Sequence, residues 1–338
     1  MRQVGLPTIA ALAIAIVAVS SSAPLIAFAA APALAIAFWR NAIAVAGLAP
    51  VALVRQRVQV RGLLRPGAGR RTLALSALSG ICLAVHFATW VPSAKLTSVA
   101  MSVALVSTTP VWTALISAAR GVRVPGSTWL GIGIAVLGVA LATGADPDGS
   151  GRALLGDALA LAGGIAGAGY TLLGERARAS IATTTYTTIC YSVCAAALLG
   201  TCLAVGADLS GYSGTTWLAI AAMTAGPQLL GHTLINYALQ RVSATTVAVL
   251  LLLEVPGALI IAWLLLGQLP ATGTLPGIGI LLAGVAVVVV FSPRTAGRSS
   301  PRWRWVPRDR RRWPTRPRRH GPSPSTAATR AGASRSPD

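Results

Sequence analysis

The sequence predicts an all-α integral membrane protein in which ten transmembrane helices form two inverted five-helix repeats. Three observations predict this fold class. Of the 338 residues, 54% are hydrophobic and only 11% are charged, whereas soluble domains carry about 25% charged residues. The apolar residues are grouped in blocks of roughly 20, the length that crosses ~30 Å of hydrocarbon. Finally, residues 80–139 align without a gap on residues 226–285.

The apolar blocks give the helices in order. They are predicted at 7–28, 33–54, 72–93, 97–119, 127–144, 153–173, 183–205, 215–238, 244–266 and 274–292. Each block can satisfy its own backbone hydrogen bonds as a helix, which lipid requires. Their high Gly and Ala content is typical of helices that pack closely within a membrane.

The first block has two interpretations. Its single arginine, its apolar stretch and the run Ala27-Phe28-Ala29 resemble a secretory signal peptide with its cleavage site. Cleavage there would leave nine spans. We expect the block to be retained as a helix, because its apolar stretch is long for a signal peptide and the paired repeats need it.

The basic residues predict the orientation of the chain. The loops after the second, fourth and sixth blocks are rich in arginine, whereas the opposite loops hold Asp146, Asp148 and Asp208. Because cytoplasmic loops carry the excess of Lys and Arg, both termini are predicted to lie in the cytoplasm.

Three regions follow from these patterns. Residues 1–146 and 147–292 are predicted to be the two repeats, and 293–338 a disordered basic cytoplasmic tail. Residues 294–338 hold thirteen arginines and two acidic residues, without a periodic apolar face. The tail either adsorbs to anionic lipid headgroups or is solvated without a specific role. We expect no nucleic-acid partner.

The repeat has a constant offset of 146 residues, at which His86 matches His232 and Pro110 matches Pro256. Because the offset spans five helices, an odd number, the second copy is inverted in the membrane. Inverted repeats place a binding site near the bilayer midplane, between the halves, and allow alternating access. The two prolines are predicted to kink their helices near this cavity. The second kink is expected to free a backbone carbonyl for the cavity wall.

Few ionisable side chains lie within the blocks, and these are the candidate functional residues. At ~1.5 Å per residue from the nearest loop, Arg40 and Glu254 lie roughly 10 Å from the outer face, and His86 and His232 near the middle. These depths predict one polar cluster. In it, Arg40 balances Glu254 or meets an anionic group, Glu254 meets an amine or carries a proton, and the histidines line the site or relay protons.

Each candidate also has a structural interpretation. Glu254 is either a buried structural carboxylate or a substrate and proton site. His86 and His232 are either packed, hydrogen-bonded helix residues or proton carriers, since imidazole titrates near neutral pH. Trp90 is either part of the cavity wall or an anchor at the membrane interface.

Five short motifs occur in a characteristic order. They are Pro32–Asn41, Gly80–Trp90, Lys95–Ala100, Thr109–Val111 and Leu252–Pro256. In this order and spacing they resemble the EamA-type transporters of the drug/metabolite transporter (DMT) superfamily, over about residues 7–292. The resemblance implies a ten-helix, two-repeat carrier, with helices 1–4 and 6–9 around the cavity. One departure is that the Gly-Glu pair common after helices 4 and 9 reads Gly121-Val122 and Gly267-Gln268 here.

We therefore expect a secondary active transporter of small metabolites such as amino acids, nucleobases or drugs, acting as an exporter or a proton-coupled carrier in the bacterial inner membrane. Its expected partners are the substrate, protons and the lipid bilayer, and a second copy in a homodimer is a further candidate. No cofactor, metal ligand set or catalytic residue is predicted, so we do not expect an enzyme. The alternatives are an intramembrane lipid-modifying enzyme and a non-transporting membrane scaffold.

Overall fold

The computed structural model describes residues 5–143, 150–268 and 274–291. Within these ranges all regular secondary structure is helical, as the sequence predicts. The basic tail predicted at 293–338 lies outside the described residues, and so do Asp146 and Asp148.

The first half contains eight helices. They are α1 Leu6–Ser20, α2 Ser22–Phe28, α3 Ala33–Arg55, α4 Arg57–Leu63, α5 Ala68–Leu96, α6 Val99–Val106, α7 Thr109–Ala119 and α8 Gly126–Thr143. Two of the predicted blocks are therefore broken, the first into α1 and α2 and the fourth into α6 and α7. The short α4 lies in the arginine-rich loop and was not predicted.

The second half also breaks two of its predicted blocks. Its elements are α9 Gly151–Arg178, α10 Thr183–Ala204, α11 Gly214–Met223, a π-helix at Thr224–His232, α12 Thr233–Ala238, α13 Ala244–Leu251, α14 Glu254–Leu266 and α15 Thr274–Phe291. The eighth block thus runs through α11, the π-helix and α12, and the ninth block through α13 and α14.

Eight helical segments in the described ranges are long and apolar enough to cross a membrane. They run over Leu6–Phe28, Ala33–Arg55, Ala68–Leu96, Val99–Ala119, Gly151–Arg178, Thr183–Ala204, Gly214–Ala238 and Ala244–Leu266. The helices α8 and α15 are apolar over the shorter stretches Gly126–Leu141 and Leu275–Phe291. Large apolar side chains such as Leu218 and Leu264, which are 71% and 73% exposed, suit contact with lipid tails. The chain is a multi-pass membrane protein.

The interruptions in the fourth and ninth blocks lie at matching positions of the repeat. A proline stands in the first turn of the helix that follows each break, Pro110 in α7 and Pro256 in α14. At the start of a helix the missing proline N–H removes no helical hydrogen bond. Proline therefore favours a new helix start at both places.

The carbonyl groups at these breaks find partners nearby. The Thr109 hydroxyl donates to the Val106 carbonyl at 2.7 Å. The Val255 N–H donates to the Leu252 carbonyl at 3.1 Å. The expectation that the kink beside Glu254 leaves a carbonyl free for the cavity wall is therefore wrong for Leu252, because the helix restarts within one turn.

The π-helix distinguishes the two copies of the repeat. Its last hydrogen bond runs from the Thr233 N–H to the Gln228 carbonyl, five residues back. Pro227 lies inside it, and a proline ring crowds the carbonyl four residues earlier and offers no N–H. The matching residue of the first copy is Ile81, within the uninterrupted α5. The same stretch of the repeat is therefore α-helical in the first half and π-helical in the second.

Glycines bring two helix pairs into close contact. The helix α8 packs on α15, where a Cβ added at Gly138 would collide with the Leu281 backbone. The helix α9 packs on α5, where a Cβ at Gly163 would lie 2.9 Å from the Trp90 Cβ. Small residues at such contacts let membrane helices approach closely. The second contact holds the helix that carries His86 and Trp90.

Candidate functional site

A cavity of about 90 Å³ lies between the two halves of the chain. In the first half its wall comes from α1, α2, α5, α6, α7 and the turn between α6 and α7. In the second half it comes from α9, the π-helix, α12, α13, α14 and the turn between α13 and α14. None of its described lining residues belongs to α8 or α15. A cavity needs only ~15 Å³ of this volume to hold one water, so this one has room for a small ligand.

Most of the candidate site residues predicted from the sequence lie in the cavity wall. The polar and aromatic ones from the first half are Ser22, His86, Trp90, Ser107 and Thr109. Those from the second half are Tyr170, Thr171, His232 and Glu254. Pro110 also lines the cavity, whereas Arg40 and Pro256 are absent from its described wall. The structure thus brings together His86, Trp90, His232 and Glu254.

His86 is held by α9 and by its neighbour on α5. Its Nδ1 lies 2.8 Å from the Gly163 carbonyl oxygen. Because a carbonyl only accepts, Nδ1 is the protonated nitrogen in this contact and Nε2 carries the lone pair of the neutral ring. The imidazole stacks on Trp90 with ring centroids 5.5 Å apart and an interplanar angle of 23°. Both the ring position and the tautomer are therefore set by the protein.

His232 ends the π-helix and lies beside its counterpart from the other repeat. The His86 and His232 ring centroids are 6.5 Å apart. Phe87 and Tyr170 present edges or faces to His232 at centroid distances of 5.4 and 5.8 Å. Among the described residues, the buried Nδ1 of His232 has no hydrogen-bond partner. Its imidazole is therefore held by ring contacts and keeps one nitrogen uncommitted.

Glu254 begins α14, immediately after the break in the ninth block. Its backbone oxygen accepts a hydrogen bond from the Ser20 hydroxyl at 3.3 Å, and a Cβ at Gly257 would collide with the same serine. Close approach of α14 to the α1–α2 break thus fixes where the carboxylate projects. The described contacts give the carboxylate no hydrogen-bond or ion-pair partner, and it lies in the cavity wall.

Arg40 lies behind the wall and is fully buried. Its Nε donates to Gln228 Oε1 at 2.9 Å and its Nη1 to Ser22 Oγ at 3.1 Å. Its Cζ lies 4.4 Å from the centre of the Phe87 ring. The predicted pairing with Glu254 is therefore not found among the described contacts. Residue depth, from which the pairing was inferred, does not determine the direction in which a helix presents its side chain.

Gln228 extends the Arg40 contact into a buried network. Its Nε2 donates to Asn41 Oδ1 at 3.1 Å, and its backbone oxygen accepts from the Tyr191 hydroxyl at 3.5 Å. The network links α2 and α3 of the first half to the π-helix of the second. Sequence reasoning missed both amides. The available signal was their position within apolar blocks, where polar side chains are expensive unless paired.

Tyr170 was also missed, although its ring lies in the cavity wall. The Asn236 amide donates to the Tyr170 hydroxyl at 2.7 Å, and Tyr170 is 3% exposed. A buried phenol normally needs such a partner. The pair connects α9 to α12, and the Tyr170 ring contacts His232.

The cysteines and the metal-binding residue types do not gather in the described part of the chain. Cys190, Cys194 and Cys202 are buried, Cys82 is half-buried, and all four are free thiols. No group of three or more His, Cys, Asp or Glu side chains is placed to hold a metal ion within the described ranges.

A second depression, lined by α1 and the π-helix, is apolar. Ile14, Val17 and Leu230 on its rim are 50%, 73% and 51% exposed. Exposed apolar side chains on a membrane-spanning surface suit lipid chains. The polar cavity between the halves is therefore the candidate functional site.

Comparison with known proteins places the chain in a family. The model of the EamA-like transporter family matches residues 6–144 and 154–290. No curated protein matches the chain. A solved structure described as "Crystal structure of protein" superimposes with a TM-score of 0.65, covering 85% of this chain and 97% of its own, at 18% sequence identity. That likeness shows a shared fold. Because the family model covers both halves of the chain, the protein belongs to the EamA-like transporter family, within the drug/metabolite transporter superfamily.

Proposed function

We propose that this protein is a secondary active transporter that moves a small metabolite by alternating access between two inverted five-helix repeats. Its family indicates a membrane transporter in general. The observation that carries the finer proposal is the pair of His86 and His232. These residues match in the repeat, and their rings lie 6.5 Å apart in the wall of one cavity. A site shared by both repeats near the midplane is the expected geometry for such a carrier.

The proposed architecture has ten spans, with repeats at 1–146 and 147–292 and both termini in the cytoplasm of a bacterial cell. Eight long apolar helical segments and the shorter α8 and α15 support the count. The arginine-rich loops support the orientation. In this arrangement the basic tail at 293–338 faces the anionic headgroups of the inner leaflet.

The proposed roles follow from where each side chain lies. Glu254, whose carboxylate has no partner among the described residues, meets a cationic group or a proton. His86 and His232 line the path and exchange protons, which makes protons the proposed coupling ion. Trp90 forms a wall of the cavity. Arg40 acts as a positioning residue, because its Nε and Nη1 donate to Gln228 and Ser22 and its side chain is absent from the described cavity wall.

The first test reconstitutes the protein in proteoliposomes with an imposed pH gradient and offers a mixture of amino acids, nucleobases, amines and drugs. We expect saturable, gradient-driven movement of one class of compound, measured by mass spectrometry of the liposome contents. Glu254→Gln should reduce this flux about tenfold or more and change its dependence on pH, because the amide cannot carry the charge or the proton.

The matched control is Asp208→Asn, which removes an exposed carboxylate in the α10–α11 loop and should leave the flux unchanged. Unaltered flux and pH dependence in the Glu254 variant would remove Glu254 from the mechanism. No saturable flux of any compound from the native protein would instead favour the non-transporting scaffold.

A further inference from the structure

The charge of the cavity wall points to the kind of molecule that it accepts. Glu254 is the one carboxylate among its described lining residues, which contain no lysine or arginine. An ion in a membrane core is stable only with a partner. The Glu254 carboxylate, which has no partner among the described residues, is therefore suited to binding a cation.

Three of the described cations make their contacts outside the cavity wall. Arg40 is fully buried behind the wall and donates to Gln228 and Ser22. The Lys95 ammonium donates to the Ala29 carbonyl at 2.6 Å, and the Arg241 guanidinium lies 4.5 Å from the Tyr237 ring centre. None of these three side chains lines the described cavity wall. A carboxylate or phosphate of a ligand would thus meet no lysine or arginine side chain in the described wall beside Glu254.

The aromatic part of the wall also suits a cation with an apolar body. His86 and Trp90 form a stacked pair, and Tyr170 lies across the cavity on α9. Aromatic faces attract ammonium groups, and more strongly when water is excluded. They also pack against apolar rings and chains. The wall therefore combines one carboxyl group with aromatic and apolar surface.

We propose that the transported substrate is a compact organic amine without a free carboxylate or phosphate. Its ammonium group faces Glu254, and its apolar or aromatic body packs against Trp90 and Tyr170. The proposal rests on the proposed transport function, since it takes the occupant of the cavity to be the substrate. It narrows the expected substrate classes, because a free amino acid carries a carboxylate for which the described wall offers no lysine or arginine.

The test compares molecules that differ only in that carboxylate. Phenethylamine is compared with phenylalanine, and tyramine with tyrosine, on the unmodified full-length protein in proteoliposomes. Phenylalaninamide, which keeps the amine and masks the carboxylate, is the third member of the series. We expect the amines and the amide to be accumulated and to compete with one another, with the amino acids about tenfold weaker or more.

Glu254→Gln should abolish the preference for the amines, whereas Asp208→Asn should preserve it. Equal or better uptake of the amino acids would overturn the proposal and return Arg40 to the role of a carboxylate ligand. Movement of another metabolite from the mixture, without any amine, would also overturn it while leaving the transport function intact. If no compound in the mixture is transported, the proposed transport function is wrong, and the proposed substrate class is wrong with it.

Discussion

At the scale of single residues, Arg40 shows how a charge within the membrane is held without a carboxylate. Two hydrogen bonds and one aromatic face hold its guanidinium, and its buried Nη2 has no hydrogen-bond partner among the described residues. Arginine suits this environment because its planar, weakly hydrated group can donate in several directions and stack at the same time. Its contacts with Ser22, in α2, and Gln228, in the π-helix, place a tether between the two halves directly behind the cavity wall.

The first prediction concerns this tether. Arg40→Ala leaves the buried Gln228 oxygen and the Ser22 hydroxyl without their donor, so it should destabilise the protein by about 3 kcal/mol. Arg40→Lys should recover only part of the lost stability, because a single ammonium group cannot reproduce the planar guanidinium, which donates from two nitrogens. Thermal or SDS-induced unfolding of the purified variants measures the effect.

Arg57→Ala, at an exposed position of α4, is the control and should leave stability unchanged. If the Arg40→Ala variant is as stable as the native protein but no longer binds substrate, Arg40 is a substrate ligand.

At the scale of helices, the sequence predicted where the helices lie in the chain better than where they are interrupted. Apolar blocks located every long helix of the described ranges, since hydrocarbon thickness dictates their length. Pro110 and Pro256 pointed to the breaks in the fourth and ninth blocks. The π-helix was not predicted, because its five-residue hydrogen bonds leave no periodic signature in nine residues. Nor was the break at Ser21 predicted, although Pro24 stands in the first turn of α2 as Pro256 does in α14.

The second prediction tests how α8 and α15 pack. Gly138→Ala should destabilise the protein by about 1–3 kcal/mol, because its Cβ would overlap the backbone of Leu281 and force the helices apart. Gly133→Ala lies on the same helix, where a Cβ meets nothing within 4 Å. That control should be neutral or slightly stabilising, since alanine favours helix over glycine. Equal effects of the two substitutions would show that the close contact is unimportant for stability.

At the scale of the whole molecule, the repeat predicted which residues would meet across the halves, but not every partner. His86 and His232 come together because a two-copy fold brings equivalent midpoints to its centre. The predicted Arg40–Glu254 pair is not found among the described contacts, because the depth of a residue in the membrane does not fix the direction of its side chain. That direction also depends on the rotation of the helix about its axis. Gln228, Asn41 and Tyr170 were overlooked since each is uncharged, although each is buried in a polar contact.

The third prediction tests the proposed orientation of the chain in the membrane. Ser180 lies exposed between α9 and α10, and Ser210 exposed between α10 and α11. With both termini in the cytoplasm, a membrane-impermeant thiol reagent should label Ser210→Cys in intact cells and Ser180→Cys only after permeabilisation. The native cysteines lie within helices, buried or half-buried, so the background should be low. The opposite labelling pattern would reverse the proposed topology.

The π-helix has a consequence for the direction of transport. In a carrier built from interchangeable copies, the outward-open and inward-open forms would be related by a two-fold rotation about an axis in the membrane plane and equal in energy. Within the described residues, only the second copy carries a π-helix and an intramembrane carboxylate, so the two forms differ in energy and in population. The half-saturating concentration should therefore differ between the two faces of the membrane. Detailed balance then requires the maximal rates in the absence of a gradient to differ by the same ratio.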